Sequence, residues 1–139
     1  MLVFVLKITG IPPTDVSSCR VTVHVTAGTA AQWDAALHVD AVELLPEVIQ
    51  ASTRFGTPQG RQALHVHAAD ARRFVRLPGT AYDVIVADNF HPARSGSAAL
   101  YTVEHFEAVR ARLAPDGLFC QWLPLHQMDR ATLQSIVRS

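Results

Sequence analysis

The order of apolar runs and helix breakers constrains the fold of this chain more than any other feature. From residue 38 onward, short β-rich runs alternate with helix-like segments, and Gly and Pro residues separate many of them. Strands are expected at residues 37–42, 64–68, 82–87 and 118–123. Helices are expected at residues 46–55, 71–75, 102–113 and 129–137. Such alternation is typical of βαβ units, so the sequence predicts an α/β fold with a parallel sheet.

The beginning of the chain is less regular than the rest. Residues 20–25 alternate like a strand, and residues 26–33 are compatible with a helix that begins with small side chains. The preceding residues suggest no role. We therefore divide the chain into an unassigned segment, residues 1–20, and one α/β domain, residues 21–139.

The apolar run near the N-terminus is too short to cross a membrane. Lys7 ends the run that begins at Leu2, whereas a spanning helix needs about 20 apolar residues. The same stretch lacks the longer apolar region and the small-residue cleavage site of a signal peptide. A cytoplasmic location is therefore expected, with no membrane segment in this chain.

Composition excludes several classes of partner. The 12 Lys and Arg residues balance 12 Asp and Glu residues and form no dense basic block, which argues against nucleic acid as a partner. Cys19 and Cys120 lie far apart and have no metal-ligand spacing, as expected for ordinary thiols in a reducing compartment. A length of 139 residues suits one domain but is short for a complete large α/β enzyme.

Three acids follow predicted strands and are the main candidates for chemistry. Glu43, Asp70 and Asp88 each stand at or just beyond the end of a β-rich run. The carboxyl ends of parallel strands form one edge of a sheet, where ligands bind in open α/β folds. Each acid also has a local interpretation, because a carboxylate at such a position often caps a turn or the next helix.

Taken together, the three acids favour a bound adenosine group. An acid after the second strand, here Glu43, accepts hydrogen bonds from ribose hydroxyls in nucleotide-binding folds. Asp70 is placed to accept a hydrogen bond from an adenine amino group. Asp88 would then lie nearest the reacting end of the ligand, where a carboxylate orients an amine and accepts its proton.

The seven histidines do not make a convincing metal site. His65 and His67 are two residues apart on a strand, but a catalytic metal usually needs three protein ligands, and no third residue has a suitable spacing. Cys120 lies inside an apolar run without a neighbouring base, which favours a buried structural thiol. No metal is predicted.

Four segments resemble the polyamine aminopropyltransferases, the spermidine synthase family. The likeness runs from about Val25 to the C-terminus and is closest to a bacterial spermidine synthase-like branch, in which the acidic motif is followed by His-Pro. The segments are VDAVELLPEVIQAS, HAADARRFVR, YDVIVADNFHPA and LYTVEHFEAVRARLAPDGLFCQWLPLHQ. This resemblance implies a Rossmann-like, doubly wound, mostly parallel sheet, as in S-adenosylmethionine-dependent methyltransferases.

The resemblance also implies a reaction and a set of residues. The co-substrate would be decarboxylated S-adenosylmethionine, whose aminopropyl group passes to a polyamine acceptor such as putrescine without a metal or redox cofactor. Glu43 would bind the ribose, Asp70 and Ala71 the adenine, and Gly28 the co-substrate near the first loop, with Asp88 as the catalytic carboxylate. A homodimer is compatible with this interpretation.

The chain departs from the family at the first loop. Family members carry a glycine-rich loop after the first strand, but here the stretch reads CRVTVHVTAGTA, in which only Gly28 remains. Family members also have an N-terminal β-rich segment and further C-terminal strands that have no counterpart here. An incomplete fold with impaired transfer is therefore expected. The alternatives are an S-adenosylmethionine-dependent methyltransferase and a non-catalytic fragment of the family.

Overall fold

The computed structural model of the protein describes residues 2–8, 37–52, 64–88, 92–94 and 96–139. The described residues form five strands: β1 Leu2–Ile8, β2 Leu37–Glu43, β3 Leu64–Ala68, β4 Tyr82–Asp88 and β5 Leu113–Gln121. Four α-helices accompany them: α1 Pro46–Ser52, α2 Ala71–Arg76, α3 Val103–Ala111 and α4 Arg130–Arg138. Short 3-10 helices lie at Ala98–Leu100 and Leu125–Gln127.

The five strands make one sheet in the order β3-β2-β1-β4-β5. β2 pairs with β3 and β4 pairs with β5 in parallel, while β1 is antiparallel to both β2 and β4. Four of the five described strands therefore run in one direction. The predicted α/β class with parallel strand pairs is confirmed, but the central strand runs against its neighbours.

The central strand is formed by residues to which the sequence analysis gave no role. β1 comes from the apolar run LVFVLKI, whose β-branched and aromatic residues favour a strand. The strand predicted at residues 20–25, the helix predicted at 26–33 and Gly28 all lie outside the described residues. The division of the chain near residue 20 stays a prediction.

Strand β5 begins earlier than predicted. The strand was predicted to begin at residue 118, but Pro115, Asp116 and Gly117 already lie inside β5, where the pairing with β4 shifts register between Tyr82 and Val84. Asp116 takes the left-handed backbone conformation, with φ of 63°. A Cβ atom on Gly117 would lie 2.9 Å from the backbone oxygen of Ala114. Pro115, Asp116 and Gly117 therefore form a bulge that interrupts the strand without ending it.

The core lies between β4 and the helices packed on the sheet. Ile85 is fully buried, and Val84 and Ala87 are almost as inaccessible, whereas Val86 is only partly buried. The main cluster of buried residues in contact comprises Val42, Ala71, Val75, Tyr82, Ile85, Ala87 and Val109. This packing fixes the carboxyl end of β4 relative to β2 and to α2 and α3.

A polar network that was not predicted joins β2, β3 and β4. The Asp40 carboxylate bonds His67 Nε2 at 2.7 Å and accepts a hydrogen bond from the Tyr82 hydroxyl at 2.9 Å. The Arg112 guanidinium lies over the Tyr82 ring, 5.0 Å from its centroid, and donates to the backbone oxygen of Leu77. His67, which had been weighed as a metal ligand, is therefore engaged by a carboxylate.

Candidate active site

The sheet brings two of the predicted acids to the same edge. Glu43 ends β2 and Asp88 ends β4, and both are register partners of Leu2 in the strand between them. Since neighbouring strands are about 4.8 Å apart, the two backbone positions are separated by about 10 Å. β3 adds the third acid, because Ala68 pairs with Glu43 and Asp70 follows two residues later.

Glu43 is held in place at the base of this edge. It is only 2% exposed, and its Oε1 accepts a hydrogen bond from the Leu45 backbone nitrogen at 3.0 Å. This bond ties the carboxylate to the segment that leads into α1, in line with its local interpretation as a cap.

Asp70 caps a helix and also carries an ion pair. It is the N-cap of α2, where Oδ1 accepts from the Arg72 backbone nitrogen at 2.9 Å. The Arg72 side chain bonds both carboxylate oxygens, with Nη2 at 2.6 Å from Oδ2. The Arg72 side chain lowers the pKa of Asp70 below its ordinary value of 3.8, so the carboxylate is ionised at neutral pH. Ala71, the other predicted adenine contact, is buried in the core.

Asp88 is the exposed member of the group. It is the last residue of β4, directly after the buried Ala87, and its side chain faces solvent. Ala87 is fixed through its oxygen, which accepts a hydrogen bond from the Trp122 nitrogen at 2.9 Å. The loop that follows, residues 89–91, lies outside the described part of the chain. Asp88 thus presents an accessible carboxylate at the end of a strand that is paired on both sides.

Two residues near Asp88 escaped sequence analysis. Tyr101 is 7% exposed, and burial raises the pKa of its hydroxyl. The charge of Asp88 also raises this pKa, whereas a hydrogen bond from the Gln121 side chain lowers it. Gln121 pairs with Ala87 across the strands, and its Oε1 is buried without a hydrogen-bond partner. The sequence signal for Gln121 was a polar residue inside the apolar run LFCQWL. A buried amide at such a position is expected to have a hydrogen-bond partner, so its surroundings are worth inspecting.

Other parts of the described structure lack comparable chemistry. Within the described residues, no group of three or more His, Cys, Asp or Glu side chains could hold a metal ion. A depression of about 490 Å³ between α3 and α4 is lined in part by Val103, Gln134 and Arg138, and it contains none of the three acids. In the same part of the chain, no helix is long and apolar enough to span a bilayer.

The fold and the acidic edge define a class of protein. Parallel strands that end in carboxylates, with helices between them, are the framework of Rossmann-like nucleoside-binding domains. Comparison with known families then gives a specific assignment: the spermine/spermidine synthase domain matches residues 20–137. The chain therefore belongs to the spermine/spermidine synthase domain family, as its motifs predicted.

Curated relatives agree with this family. The chain is 32% identical over 101 residues to polyamine aminopropyltransferase 2 of Bacillus cereus, a match that covers 65% of this chain and 27% of that protein. It is 41% identical over 78 residues to a Synechococcus polyamine aminopropyltransferase, covering 55% of this chain and 23% of the relative. The chain thus spans about a quarter of the length of these relatives. No solved structure matches it significantly.

Proposed function

We propose that the acidic edge binds decarboxylated S-adenosylmethionine and transfers its aminopropyl group to a polyamine acceptor such as putrescine. Family membership and the names of the relatives support this class of reaction. The observation that carries the proposal is that Glu43 and Asp88 flank one residue of the central strand, at the carboxyl edge that the parallel strands share. The proposed setting is the cytoplasm, with two small molecules as partners.

Each acid has a separate role in the proposed complex. The buried Glu43 carboxylate accepts hydrogen bonds from the ribose hydroxyls, and Asp70 with Ala71 reads the adenine. Gly28 is the proposed contact of the first loop. Asp88 lies beside the reacting methylene group of the ligand, because it stands two strands away from Glu43 at the same edge.

The proposed reaction is an in-line displacement. The lone pair of the acceptor amine forms a bond to the methylene carbon next to the sulfonium, and the carbon–sulfur bond breaks with its electron pair passing to sulfur. Methylthioadenosine leaves as the neutral by-product. An alkylammonium must lose a proton to attack, and its pKa is about 10.4 in water, so a base at the site is needed. The exposed Asp88 carboxylate holds the amine and accepts that proton.

Calorimetry with three ligands tests the binding part of this proposal. We expect purified protein to bind decarboxylated S-adenosylmethionine and methylthioadenosine more tightly than S-adenosylmethionine. Glu43→Gln should weaken methylthioadenosine binding by about 10- to 100-fold, because hydrogen bonds to a charged group contribute about 1.5–3 kcal/mol. Glu47→Gln, the same change at an exposed residue in the first turn of α1, is the matched control.

The other outcomes separate the competing functions. Preference for S-adenosylmethionine would support a methyltransferase instead. Failure to bind any of the three ligands would support a non-catalytic domain. Equal affinity of wild-type protein and Glu43→Gln for methylthioadenosine would remove Glu43 from the ribose site while leaving the family assignment intact.

A further inference from the structure

Arg72 makes most of the hydrogen bonds to the carboxylate that is proposed to read adenine. An ionised carboxylate offers about four acceptor positions. At Asp70, Arg72 supplies four contacts: its backbone nitrogen and Nε reach Oδ1, and Nε and Nη2 reach Oδ2. An adenine amino group is itself a donor. It therefore competes with the Arg72 side chain for the same oxygens.

The ion pair is placed where it can open. The Arg72 side chain is 39% exposed and that of Asp70 is 20% exposed, so water can solvate both groups when they separate. After the Arg72 side chain had left, the Asp70 carboxylate would still cap α2 by accepting from the Arg72 backbone nitrogen. Opening thus leaves the helix start intact and costs about the small net free energy of a partly exposed ion pair.

We propose that Arg72 is a gate on the adenosyl site: its side chain competes with the ligand's amino group for Asp70 and moves into solvent when the ligand takes the carboxylate. This inference rests on the proposed function, since it assumes that Asp70 reads adenine. Arg72 is thereby a specificity-determining residue. Only a ligand that donates hydrogen bonds to Asp70 compensates for the displaced ion pair.

Titration with methylthioadenosine, a ligand without net charge, tests the gate. Arg72→Met should bind it about two- to fivefold more tightly than wild type, the factor expected for losing a partly exposed ion pair. Arg72→Lys keeps the charge but loses the forked guanidinium, so its affinity should lie between those of wild type and Arg72→Met. Arg73→Met removes a charge from the same helix, away from the Asp70 carboxylate, and should match wild type.

Ionic strength provides a second measurement that a merely structural effect would not change. Salt weakens the exposed Arg72–Asp70 pair but not the binding of an uncharged ligand. Wild-type affinity should therefore rise between 50 and 500 mM salt, a range of about 14 to 4 Å in screening length, while that of Arg72→Met stays constant.

Several results would overturn the gate. Equal binding by Arg72→Met and wild type would mean that Arg72 does not compete with the ligand. Weaker binding by Arg72→Met would mean that Arg72 contacts the ligand. The proposed function would stand in both cases. Absence of binding by the wild type and all variants, each shown to be folded by circular dichroism, would overturn the gate and the proposed function together.

Discussion

At the scale of single residues, the acids of this chain serve local structure and candidate chemistry at once. Asp70 caps α2 and binds Arg72, and Glu43 bonds the backbone before α1. The same short hydrogen bonds that cap a helix also hold a carboxylate in a fixed direction. A capping role for Glu43 and Asp70 is therefore compatible with the proposed ligand contacts, except at Asp70, where Arg72 occupies the carboxylate oxygens.

His105 leads to a prediction about stability and pH. Its pKa is about 4 in the folded protein because of burial, against an ordinary value of 6.5. Between these pH values the unfolded chain binds more protons, so stability is fully present above pH 6.5 and falls as the pH is lowered towards 4. The loss from this group is at most about 3 kcal/mol.

Urea unfolding at several pH values between 4 and 7 measures this effect. His105→Phe should flatten the fall in the free energy of unfolding over that range, because the phenyl ring cannot be protonated. His65→Phe changes an exposed histidine and should keep the wild-type slope. A slope that is the same in His105→Phe and wild type would contradict the assignment of the pH effect to His105.

At the scale of secondary structure, the central strand is the least expected element. β1 makes backbone pairs along both sides, with β2 and with β4, so its amides are enclosed in the middle of the sheet. We expect the amides of residues 3–6 to exchange hydrogen as slowly as those of residues 84–87 in β4. Amides of the edge strand β3 should exchange faster, because edge strands are paired on one side only.

Hydrogen exchange read by mass spectrometry distinguishes these segments. Rapid exchange at residues 3–6, with protection retained at residues 84–87, would contradict the central position of β1. Similar protection in both segments would support a sheet whose middle is filled by an antiparallel strand.

Most elements could be predicted from local patterns, whereas their partners could not. The bounds of β2, β3 and β4 were predicted to within one residue, because each is a short β-rich run. The antiparallel position of β1 depends on which strands it lies between, which no local pattern encodes. The bulge in β5 was missed for a related reason: Pro-Asp-Gly favours a turn, and only pairing with β4 shows that the strand continues around it.

The residues of the candidate site likewise fall into those that the sequence predicts and those that only the fold reveals. Glu43, Asp70 and Asp88 could be found because each follows a β-rich run, and topology then placed them on one edge. Tyr101 and Gln121 lie near Asp88 only through the folding of β5 and the segment before α3. The ion pair of Arg72 with Asp70 was also missed, because a side chain two residues inside a helix has several directions open to it.

At the scale of the whole molecule, four strands that run in one direction bring the acids to one edge of the sheet. Family membership associates that edge with a class of reaction. The chain spans about a quarter of the curated relatives it matches, and the acidic edge falls within the residues that the family model covers. The central claim is therefore specific. This edge would position an adenosyl donor so that Asp88 accepts the proton of an attacking amine.

The most direct test is aminopropyl transfer from decarboxylated S-adenosylmethionine to putrescine, followed as methylthioadenosine release. We predict that Asp88→Asn lowers kcat by at least about 100-fold, as expected for loss of a general base, and leaves methylthioadenosine affinity nearly unchanged. Asp116→Asn is the control, since Asn tolerates the left-handed backbone at that exposed position. Turnover by Asp88→Asn equal to that of wild type, or no transfer by folded wild-type protein, would contradict the account.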